Sequence, residues 1–359
     1  MSPCDGPHLE RVDASRIAAG ARWCTRVSDA LGDVIDGGYL MDVAHVGPTA
    51  VPGLSAAPTL DLLARAYPWP PPAGADARLA DLGFERRDEH DASGRTVYSS
   101  GHDDVLLHVV GHDNDRWHRQ LALRDHLRAS GEARTAYHGA TADDLASLEA
   151  AALVRAIERT GFRPVVDVAR VLADAPARWA IAGGWALDAE AGTPSRHHDD
   201  VDVAVDAAAS PAVLDTLTRH GARCAWVIAG TPARYLPRAL GEAHPGGGHQ
   251  AHARWGETWM DVVIEPWSDA AWHYRRDPTI TLPLDRAVRR ATIDDVDVPV
   301  MAPEAVLLFK ATTGGRRTPR PKDDADLPQA LRTLDDRART WLLAALPAEH
   351  PWRERLASG

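Results

Sequence analysis

The chain has 359 residues, of which 45% are hydrophobic and 25% are charged, so it is long enough to bury the cores of about two domains. These proportions exclude the fibrous and disordered classes, and no apolar run approaches the roughly 20 residues that cross a bilayer, so no membrane partner is expected. The 51 acidic residues outnumber the 40 basic ones and give a formal net charge of −11. This balance disfavours nucleic acid as a partner and favours a cationic small molecule.

The N-terminal residues contain neither the basic nor the apolar segment of an export signal, which predicts a cytoplasmic protein. The three cysteines, Cys4, Cys24 and Cys224, are too few and too scattered for a disulfide framework or a zinc ribbon. This cysteine usage agrees with a reducing compartment.

In the first half, a strand-like run leads into Gly47 and is followed by a connection rich in Gly, Pro and Ser. A second apolar run then carries Asp61, fourteen positions after the glycine. Alternating apolar residues bounded by such turn residues are typical of strands. The sequence therefore predicts a strand, a glycine turn, a connection and a strand that bears an acid.

The boundary between the two halves is predicted from helix signals. An Ala-rich helical stretch over 141–160 ends at the Gly and Pro residues of 161–164, and a new helix is expected over 165–173. We therefore predict two domains, 1–163 and 164–359. From about Ala302 onward the pattern becomes helical, which predicts a C-terminal helical part of the second domain.

The second half repeats the plan of the first. An apolar strand over 179–182 leads into Gly183 and Gly184, and sixteen positions after the second glycine a strand begins that carries Asp200 and Asp202. The similar order and spacing indicate two related domains in tandem. Because short strands alternate with amphipathic helices, we expect an α/β or α+β fold.

Asp200 and Asp202 are the leading candidates for a metal site. Side chains at i and i+2 of a strand point to one face, so the two carboxylates are paired while the intervening valine faces the core. Hard cations such as Mg²⁺ prefer oxygen ligands, and phosphoryl chemistry uses paired carboxylates to hold them. Asp261, one acid within an apolar strand, is the expected third carboxylate. The non-functional alternative is that Asp200 and Asp202 are simply solvated residues at the end of a strand.

Gly183 and Gly184, between a strand and a helical turn, allow a phosphate to approach the backbone closely. Neither a GxGxxG nor a GxxxxGK[ST] motif is present, which argues against a dinucleotide site or a P-loop. The only two lysines, Lys310 and Lys322, are candidate partners of triphosphate oxygens, and the alternative is that both are ordinary surface residues. The histidine pair His197 and His198 is interpreted as loop residues that face the mouth of the site.

From about residue 179 to the C-terminus, the chain resembles aminoglycoside 2''-adenylyltransferases and related lincosamide nucleotidyltransferases. The resemblance is carried by the stretches GGWALD, TPSRHHDDVDVAV, MDVVIEPW, AWHYRRDP, APEAVLLFKA and KDDADL. It implies a mixed-sheet nucleotidyltransferase core, ATP or another nucleoside triphosphate, Mg²⁺, and transfer of a nucleoside monophosphate to a hydroxyl. By position it implies that Asp200 and Asp202 bind the metal, that Asp261 is the general base, and that the Gly183–Gly184 turn holds phosphate.

The first half, over about residues 8–160, resembles the GrpB family of nucleotidyltransferase-like proteins. The matching stretches are HVGPTAVPGLSAAPTLDLL, LLHVV and WHRQLALRDHLRA. The chain departs from the family pattern at Pro48 and Ala57, and with Leu63 two positions after the strand acid no DxD pair exists.

Two interpretations of this first half remain open. In one, His45, Asp61 and His108 converge on a nucleotide or small-molecule pocket. In the other, which we favour, the domain is a degenerate nucleotidyltransferase fold that supports the second half.

The leading functional hypothesis is a Mg²⁺-dependent nucleotidyltransferase that moves AMP from ATP to a hydroxyl of a small cationic molecule such as an aminoglycoside. One alternative keeps the chemistry but modifies tRNA or protein, as toxin-type enzymes do. Another is a nucleotide-binding module without catalysis. A role in antibiotic resistance follows from the resemblance alone.

Overall fold

The computed structural model describes residues 9–88, 94–101, 104–230, 232–312 and 318–358; Cys4 lies outside these ranges. The chain divides into two compact units. The first comprises Met1–Arg159 with Gly230–Tyr235, and the second comprises Thr160–Ala229 with Leu236–Gly359. The division after Arg159 falls four residues before the predicted boundary, and it also assigns a short segment of the second half to the first unit.

The first unit is built on a five-stranded mixed sheet of order β2-β4-β7-β6-β5. The pairing of β4 with β7 is parallel, and the other pairs are antiparallel. A separate two-stranded ladder joins β1 to β3. The strands are β1 (Glu10–Arg11), β2 (Leu40–Val46), β3 (Ser55–Ala56), β4 (Leu60–Ala66), β5 (Phe84–Asp88), β6 (Arg95–Ser100) and β7 (Val105–Gly111).

Helices cover both faces of this sheet. One face packs its core around Trp23 and Leu62, and the other packs around Leu63 and Trp117. This division follows from strand alternation, since Leu62 and Leu63 are neighbours on β4 and point to opposite faces. The helices are α1 (Ala14–Leu31), α2 (Ala73–Asp81), α3 (Arg116–Ala129), α4 (Gly131–Tyr137) and α5 (Ala142–Thr160), with 3₁₀ turns at Val34–Asp36 and Pro48–Ala50.

The second unit contains an eight-stranded mixed sheet of order β11-β10-β12-β13-β9-β8-β17-β16, and a two-stranded ladder pairs β14 with β15. The valines of the VDVAV run are buried, as the strand alternation predicts. The strands are β8 (Trp179–Ile181), β9 (Val201–Asp206), β10 (Arg223–Ile228), β11 (Arg234–Pro237), β12 (Gln250–Trp255), β13 (Thr258–Glu265), β14 (Ala271–His273), β15 (Thr281–Pro283), β16 (Val288–Ile293) and β17 (Val296–Met301).

The helices of the second unit enclose a single large apolar core that includes Val203, Val262 and Leu307. The predicted helical C-terminal part is confirmed, because every regular element described after Met301 is a helix. Among the helices of the described residues, none is both long and apolar enough to cross a membrane. The helices are α6 (Arg163–Leu172), α7 (Gly183–Ala191), α8 (Ser210–Arg219), α9 (Leu284–Ala287), α10 (Pro303–Ala311), α11 (Pro321–Thr333), α12 (Asp336–Ala345) and α13 (Trp352–Ala357).

Five strands of each unit share one topology. In the first unit, β2, β4, β5, β6 and β7 follow in chain order and take the spatial order β2-β4-β7-β6-β5; in the second, β8, β9, β10, β12 and β13 take the equivalent order β8-β9-β13-β12-β10. The parallel pair is the equivalent one in both sheets. The prediction of two related mixed-sheet α/β domains is therefore confirmed.

Candidate active site

Two aspartates stand side by side on the central strands of the second unit. Strands β9 and β13 are parallel, and Asp202 is in register with Asp261. Because paired residues of adjacent strands point to the same face, both carboxylates project from one side of the sheet. Asp200 lies one residue before β9 rather than on it, and its carbonyl oxygen accepts a hydrogen bond of 3.0 Å from the Trp185 indole.

Gly183 approaches Asp202 so closely that no side chain fits between them. A Cβ placed on Gly183 would lie 1.7 Å from Oδ2 of Asp202, and Gly183 has a φ of +59°. The backbone fixes this approach, because the Ala182 N–H donates to the Asp202 carbonyl over 2.8 Å. Glycine is needed here for both space and conformation. It is the first residue of α7, so the N-terminus of this helix starts beside the carboxylate.

Gly184 has a different role from the one predicted. A Cβ on Gly184 would lie 2.3 Å from Cε1 of His198. Gly184 therefore makes room for the packed ring of His198. Of the two glycines, Gly183 lines the cavity beside Asp202 and Gly184 does not.

The electrostatics of the aspartate pair are those of crowded carboxylates. Removal from water, followed by the charges of Asp200 and Asp261, raises the pKa of Asp202 well above its usual range. Burial and the Asp200 charge raise the pKa of Asp261 to about 7. The neighbouring carboxylates thus make ionisation of Asp202 and of Asp261 less favourable, and a cation at this place would relieve that repulsion.

Two side chains on β12 complete the surroundings of Asp261. Gln250 donates from Nε2 to Asp261 Oδ2 over 2.7 Å, and His252 is in register with Asp261, with its Nε2 3.7 Å from Oδ1. Burial lowers the pKa of His252 to about 4, so the ring is neutral at pH 7. Oδ1 of Asp261 is buried and has no hydrogen-bond partner among the described residues, so its lone pairs are unsatisfied.

These aspartates border a cavity of about 350 Å³ that lies over β9 and β13 beneath α10. A cavity of this size is at the lower end of those that hold small molecules or cofactors. Asp202 and Asp261 line it, and so does Glu265, the last residue of β13. Its wall includes Gly183, Asp202, Gln250, Asp261, Glu265, Arg275, Phe309 and Lys310.

The donor set around the aspartates decides whether a metal ion fits. Among the described residues, no group of three or more His, Cys, Asp or Glu side chains is arranged to hold a metal ion by itself. Mg²⁺ commonly binds proteins through one or two carboxylates and completes its shell with substrate phosphates and water. Asp200 and Asp202 fit that partial role, since the close approach of Gly183 keeps side-chain bulk away from Asp202.

Lys310 lines the cavity but is already engaged by carboxylates of α11. Its side chain is 8% exposed, and Nζ donates to Asp326 over 2.6 Å and to Asp323 over 3.2 Å. Asp326 also accepts two hydrogen bonds from Arg196, in the loop before β9, at 2.8 and 3.1 Å. Lys322 is 37% exposed, with Nζ 3.9 Å from Asp199. The two lysines predicted as phosphate partners therefore have different surroundings.

We expect Lys310→Ala to destabilise the protein by about 1.5–3 kcal/mol, because Asp323 and Asp326 lose a buried charged donor but keep their hydrogen bonds from Arg320 and Arg196. Lys322→Ala is the matched control, and its loss of an exposed pair is worth no more than about 1 kcal/mol. Urea unfolding of both variants measures the difference. Equal stability losses would show that Lys310 does not hold α11 in place.

His198 does not face the mouth of the site, and that expectation was wrong. Its Nε2 lies 2.7 Å from Oδ2 of Asp188, and its ring packs on Trp185. Asp188 also accepts from the backbone N–H and the hydroxyl of Ser195. These contacts bury His198 and tie the loop before β9 to α7, which fixes the position from which Asp200 and Asp202 project.

In the first unit, the structure brings together two of the three predicted residues. Asp61 Oδ1 lies 3.2 Å from Nε2 of His108. His45 is in register with Leu62, the neighbour of Asp61, so its side chain belongs to the opposite face of the sheet. There His45 is 6% exposed, accepts or donates a hydrogen bond with Thr49 at 3.0 Å, and has a pKa lowered to about 4, mainly by burial.

Gly47 and Asp61 repeat the contact of Gly183 and Asp202. A Cβ on Gly47, whose φ is +69°, would lie 2.7 Å from Oδ2 of Asp61. Asp61 therefore corresponds to Asp202, and the position that corresponds to Asp200 is Thr59 rather than Leu63. The residue in register with Asp61 on the parallel neighbour is Leu106. The first unit thus has one of the three carboxylates that the second unit gathers.

Comparison with protein families gives a separate result for each half. Residues 9–173 match the family model of the GrpB protein, and residues 164–240 match that of aminoglycoside-2''-adenylyltransferase. The chain is similar to two families, one in each half. A UPF0157 protein of Streptomyces coelicolor is 37% identical over 130 residues, which span 36% of this chain and 65% of that relative, just under two thirds of its length.

Solved structures of both kinds are similar to parts of the chain. GrpB from Enterococcus faecalis is 21% identical with a TM-score of 0.35 over 41% of this chain and 98% of its own. ANT(2'')-Ia in complex with adenylyl-2''-tobramycin is 17% identical with a TM-score of 0.38 over 50% of this chain and 94% of its own. The lincomycin-bound lincosamide adenylyltransferase LnuA is 17% identical with a TM-score of 0.35 over 48% and 97%.

Sequence reasoning missed Gln250 and the residues around Glu265. The sequence signal that could have identified Gln250 is the alternation in QAHARW, which puts Gln250 and His252 on one face of β12. That these two face Asp261 depends on the register of β12 against β13, which the sequence does not reveal.

Proposed function

We propose that the second unit, which is similar to the aminoglycoside-2''-adenylyltransferases, is a Mg²⁺-dependent nucleotidyltransferase. It transfers a nucleoside monophosphate, AMP from ATP, to a hydroxyl of a small cationic molecule. The observation that supports this most directly is the in-register pair Asp202 and Asp261. Both aspartates line the cavity, and Gly183, which also lines it, has no side chain beside Asp202.

In this proposal Asp200 and Asp202 hold the magnesium ion, which supplies charge stabilisation at the α-phosphate and the departing pyrophosphate. Gly183 lets the triphosphate approach the first turn of α7, whose backbone N–H groups point toward negative charge. In this proposal, the close approach at Gly183 and the positive end of the α7 dipole together favour a polyphosphate substrate.

Asp261 is proposed as the general base. Its Oδ2 accepts a hydrogen bond from Gln250, and its Oδ1, which is buried and has no hydrogen-bond partner among the described residues, is proposed to take the proton of the acceptor hydroxyl. A pKa of about 7 suits a group that must take up a proton near neutral pH. As the hydroxyl oxygen forms its bond to the α-phosphorus, the proton passes to Asp261, and the bond from phosphorus to pyrophosphate breaks with its electrons on the leaving group.

The acceptor is proposed to be a small cationic molecule. Support comes from the net charge of −11 and from the similarity of residues 164–240 to aminoglycoside-2''-adenylyltransferase. A cytoplasmic location and a role in antibiotic resistance belong to the same proposal. The first unit, with one carboxylate in place of three, is proposed to be catalytically inactive.

The test is mass spectrometry of an acceptor library incubated with the protein, Mg²⁺ and each of the four ribonucleoside triphosphates. We expect a mass increase equal to one nucleoside monophosphate on a hydroxylated cationic acceptor, together with pyrophosphate release that EDTA abolishes. Label transferred to tRNA or protein instead would overturn the choice of acceptor. Binding of triphosphates without turnover of any acceptor would overturn the catalytic assignment.

We expect Asp61→Asn to leave the rate of nucleotide transfer within about twofold of wild type, because the first unit lacks the other two carboxylates. The measurement is pyrophosphate release under saturating ATP. A loss of activity comparable to that of Asp202→Asn, in a variant that melts at the wild-type temperature, would show that the first unit contributes a catalytic group.

A further inference from the structure

The loop that leads into β9 is held from two sides. It comprises residues 192–200, has no regular structure, and ends at Asp200. On one side, Asp188 of α7 binds Ser195 and His198 of the loop. On the other side, the loop is bound by a carboxylate of α11 that lies 130 residues after its partner in the chain. Because the loop has no ladder or helix of its own, these side-chain contacts set its position.

Asp326 is the residue of α11 that reaches this loop. Its Oδ1 and Oδ2 accept from Nε and Nη2 of Arg196 over 2.8 and 3.1 Å, a bidentate pair that fixes orientation as well as distance. The Arg196 Nη1 in turn donates to the His197 carbonyl over 2.9 Å, three residues before Asp200. The guanidinium thus connects the backbone of the loop to α11.

Arg196 also packs against the glycine turn. A Cβ placed on Gly184 would lie 3.0 Å from the Arg196 Nη2, so the guanidinium lies beside the first turn of α7, next to Gly183. The position of Arg196 therefore affects two parts of the proposed site, the phosphate-binding turn and the loop that ends at Asp200.

The same carboxylate holds a cation on the cavity wall. Asp326 Oδ2 accepts from Lys310 Nζ over 2.6 Å, and Lys310 lines the cavity together with Asp202. Burial and the neighbouring carboxylates raise the pKa of Asp202, and the positive charge of Lys310 opposes that increase. The ammonium group therefore acts electrostatically on the proposed metal ligand, and Asp326 determines where that group lies.

Asp326 is suited to hold two cations at once. Its side chain is 6% exposed, and burial favours the neutral form, but the hydrogen bond from Arg196 and the charge of Lys310 lower its pKa to about 2. The carboxylate is therefore ionised at neutral pH. Hydrogen bonds between ionised partners are about twice as strong as those between neutral ones, so both contacts are well defined.

We propose that Asp326 is a positioning residue of the metal and phosphate site. By holding Arg196 it sets the loop before β9, and with it Asp200 and Asp202. By holding Lys310 it places a cation on the cavity wall. Asp326 acts through these residues and contacts neither the metal ion nor the substrate. The inference rests on the proposed function, because the site that Asp326 positions is the proposed site of Mg²⁺ and the triphosphate.

The test is isothermal titration calorimetry of the full chain with ATP, once in Mg²⁺ and once in EDTA. The ratio of the two Kd values measures the part of the affinity that depends on the metal ion. Wild type is compared with Asp326→Asn, with Arg196→Gln and with the double variant, each checked first by thermal melting. Asp324→Asn is the matched control on α11, because Asp324 accepts from the Trp352 indole at 2.7 Å and from Arg355 at 2.6 Å instead of binding the loop.

We expect Asp326→Asn to reduce this ratio by about tenfold, the size of effect typical of residues that orient metal ligands. Arg196→Gln should reduce it too, although it removes the opposite charge, and this common direction distinguishes displacement of the loop from a change in electrostatic potential. Adding Arg196→Gln to Asp326→Asn should cost no more than about a further twofold, because the two residues act through one contact. Asp324→Asn should keep the wild-type ratio.

A folded Asp326→Asn protein with the wild-type ratio would overturn the positioning role. Independent, multiplying losses in the double variant would overturn it as well, and so would an equal loss in Asp324→Asn. If Asp326→Asn does not fold, Arg196→Gln decides in the same way, because Arg196 is 29% exposed and its loss leaves Asp326 paired with Lys310. Wild type that binds ATP no better in Mg²⁺ than in EDTA would overturn the proposed function itself, which is a different result.

Discussion

Asp202→Asn is expected to lower the rate of nucleotide transfer by about 10³-fold or more while leaving the fold intact, because it removes charge that acts on the transferring phosphoryl group. Asn keeps the size and the planar shape of the side chain, so it still fits against Gly183. Pyrophosphate release with saturating ATP, Mg²⁺ and acceptor measures the effect. Incorporation by this variant at a near wild-type rate would overturn the site.

A stability measurement distinguishes this loss from unfolding. In wild type, the pKa of Asp202 is raised by burial and by the neighbouring charges of Asp200 and Asp261, so its ionisation in the folded state is unfavourable. In EDTA at pH 8, Asp202→Asn should therefore melt at the wild-type temperature or above it. Loss of activity with a gain in stability is the pattern of a site built for function.

The matched control is Asp206→Asn on the same strand. Asp206 is half-buried and pairs with Arg178 at 3.1 Å, away from the wall of the cavity. We expect this variant to keep most of its activity. An equal loss of activity in Asp202→Asn and Asp206→Asn would show that any charge removed from β9 impairs the enzyme.

Local patterns were sufficient to predict most of the architecture. A period of two in VDVAV defines β9 and puts the valines inward, and Gly183 beside a short apolar strand marks the start of α7. The similar order of strand, glycine and acid in both halves predicted related domains, and the shared strand topology confirms it. These features depend on residues near one another in sequence.

The remaining features depend on contacts between distant segments. Gln250 contacts Asp261 only because β12 pairs with β13 in one register. Lys310 of α10 is paired with Asp323 and Asp326 of the next helix, α11. The expectation that the missing partner of Asp61 would stand at position 63 was wrong for the same reason. Only the contact with Gly47 shows that Asp61 corresponds to Asp202, and hence which position is its missing partner.

Gly183→Ala is expected to reduce nucleotide transfer by at least about 10²-fold, and to destabilise the protein by about 1–3 kcal/mol, because the new Cβ must displace Asp202. The methyl group would lie 1.7 Å from Oδ2 of that carboxylate, and the backbone φ of +59° is itself unfavourable for alanine. Kinetics of pyrophosphate release and urea unfolding measure the two effects.

Gly192→Ala separates backbone strain from the contact with Asp202. Gly192 follows the same helix with a φ of +75°, and among the described residues no atom lies within 4 Å of the place that a Cβ would take there. The variant should lose about 1 kcal/mol of stability for the left-handed backbone and keep its activity. If Gly183→Ala behaved like this control, the carboxylate of Asp202 would not lie against the turn. Because the proposed phosphate site depends on that approach, it would fail with it.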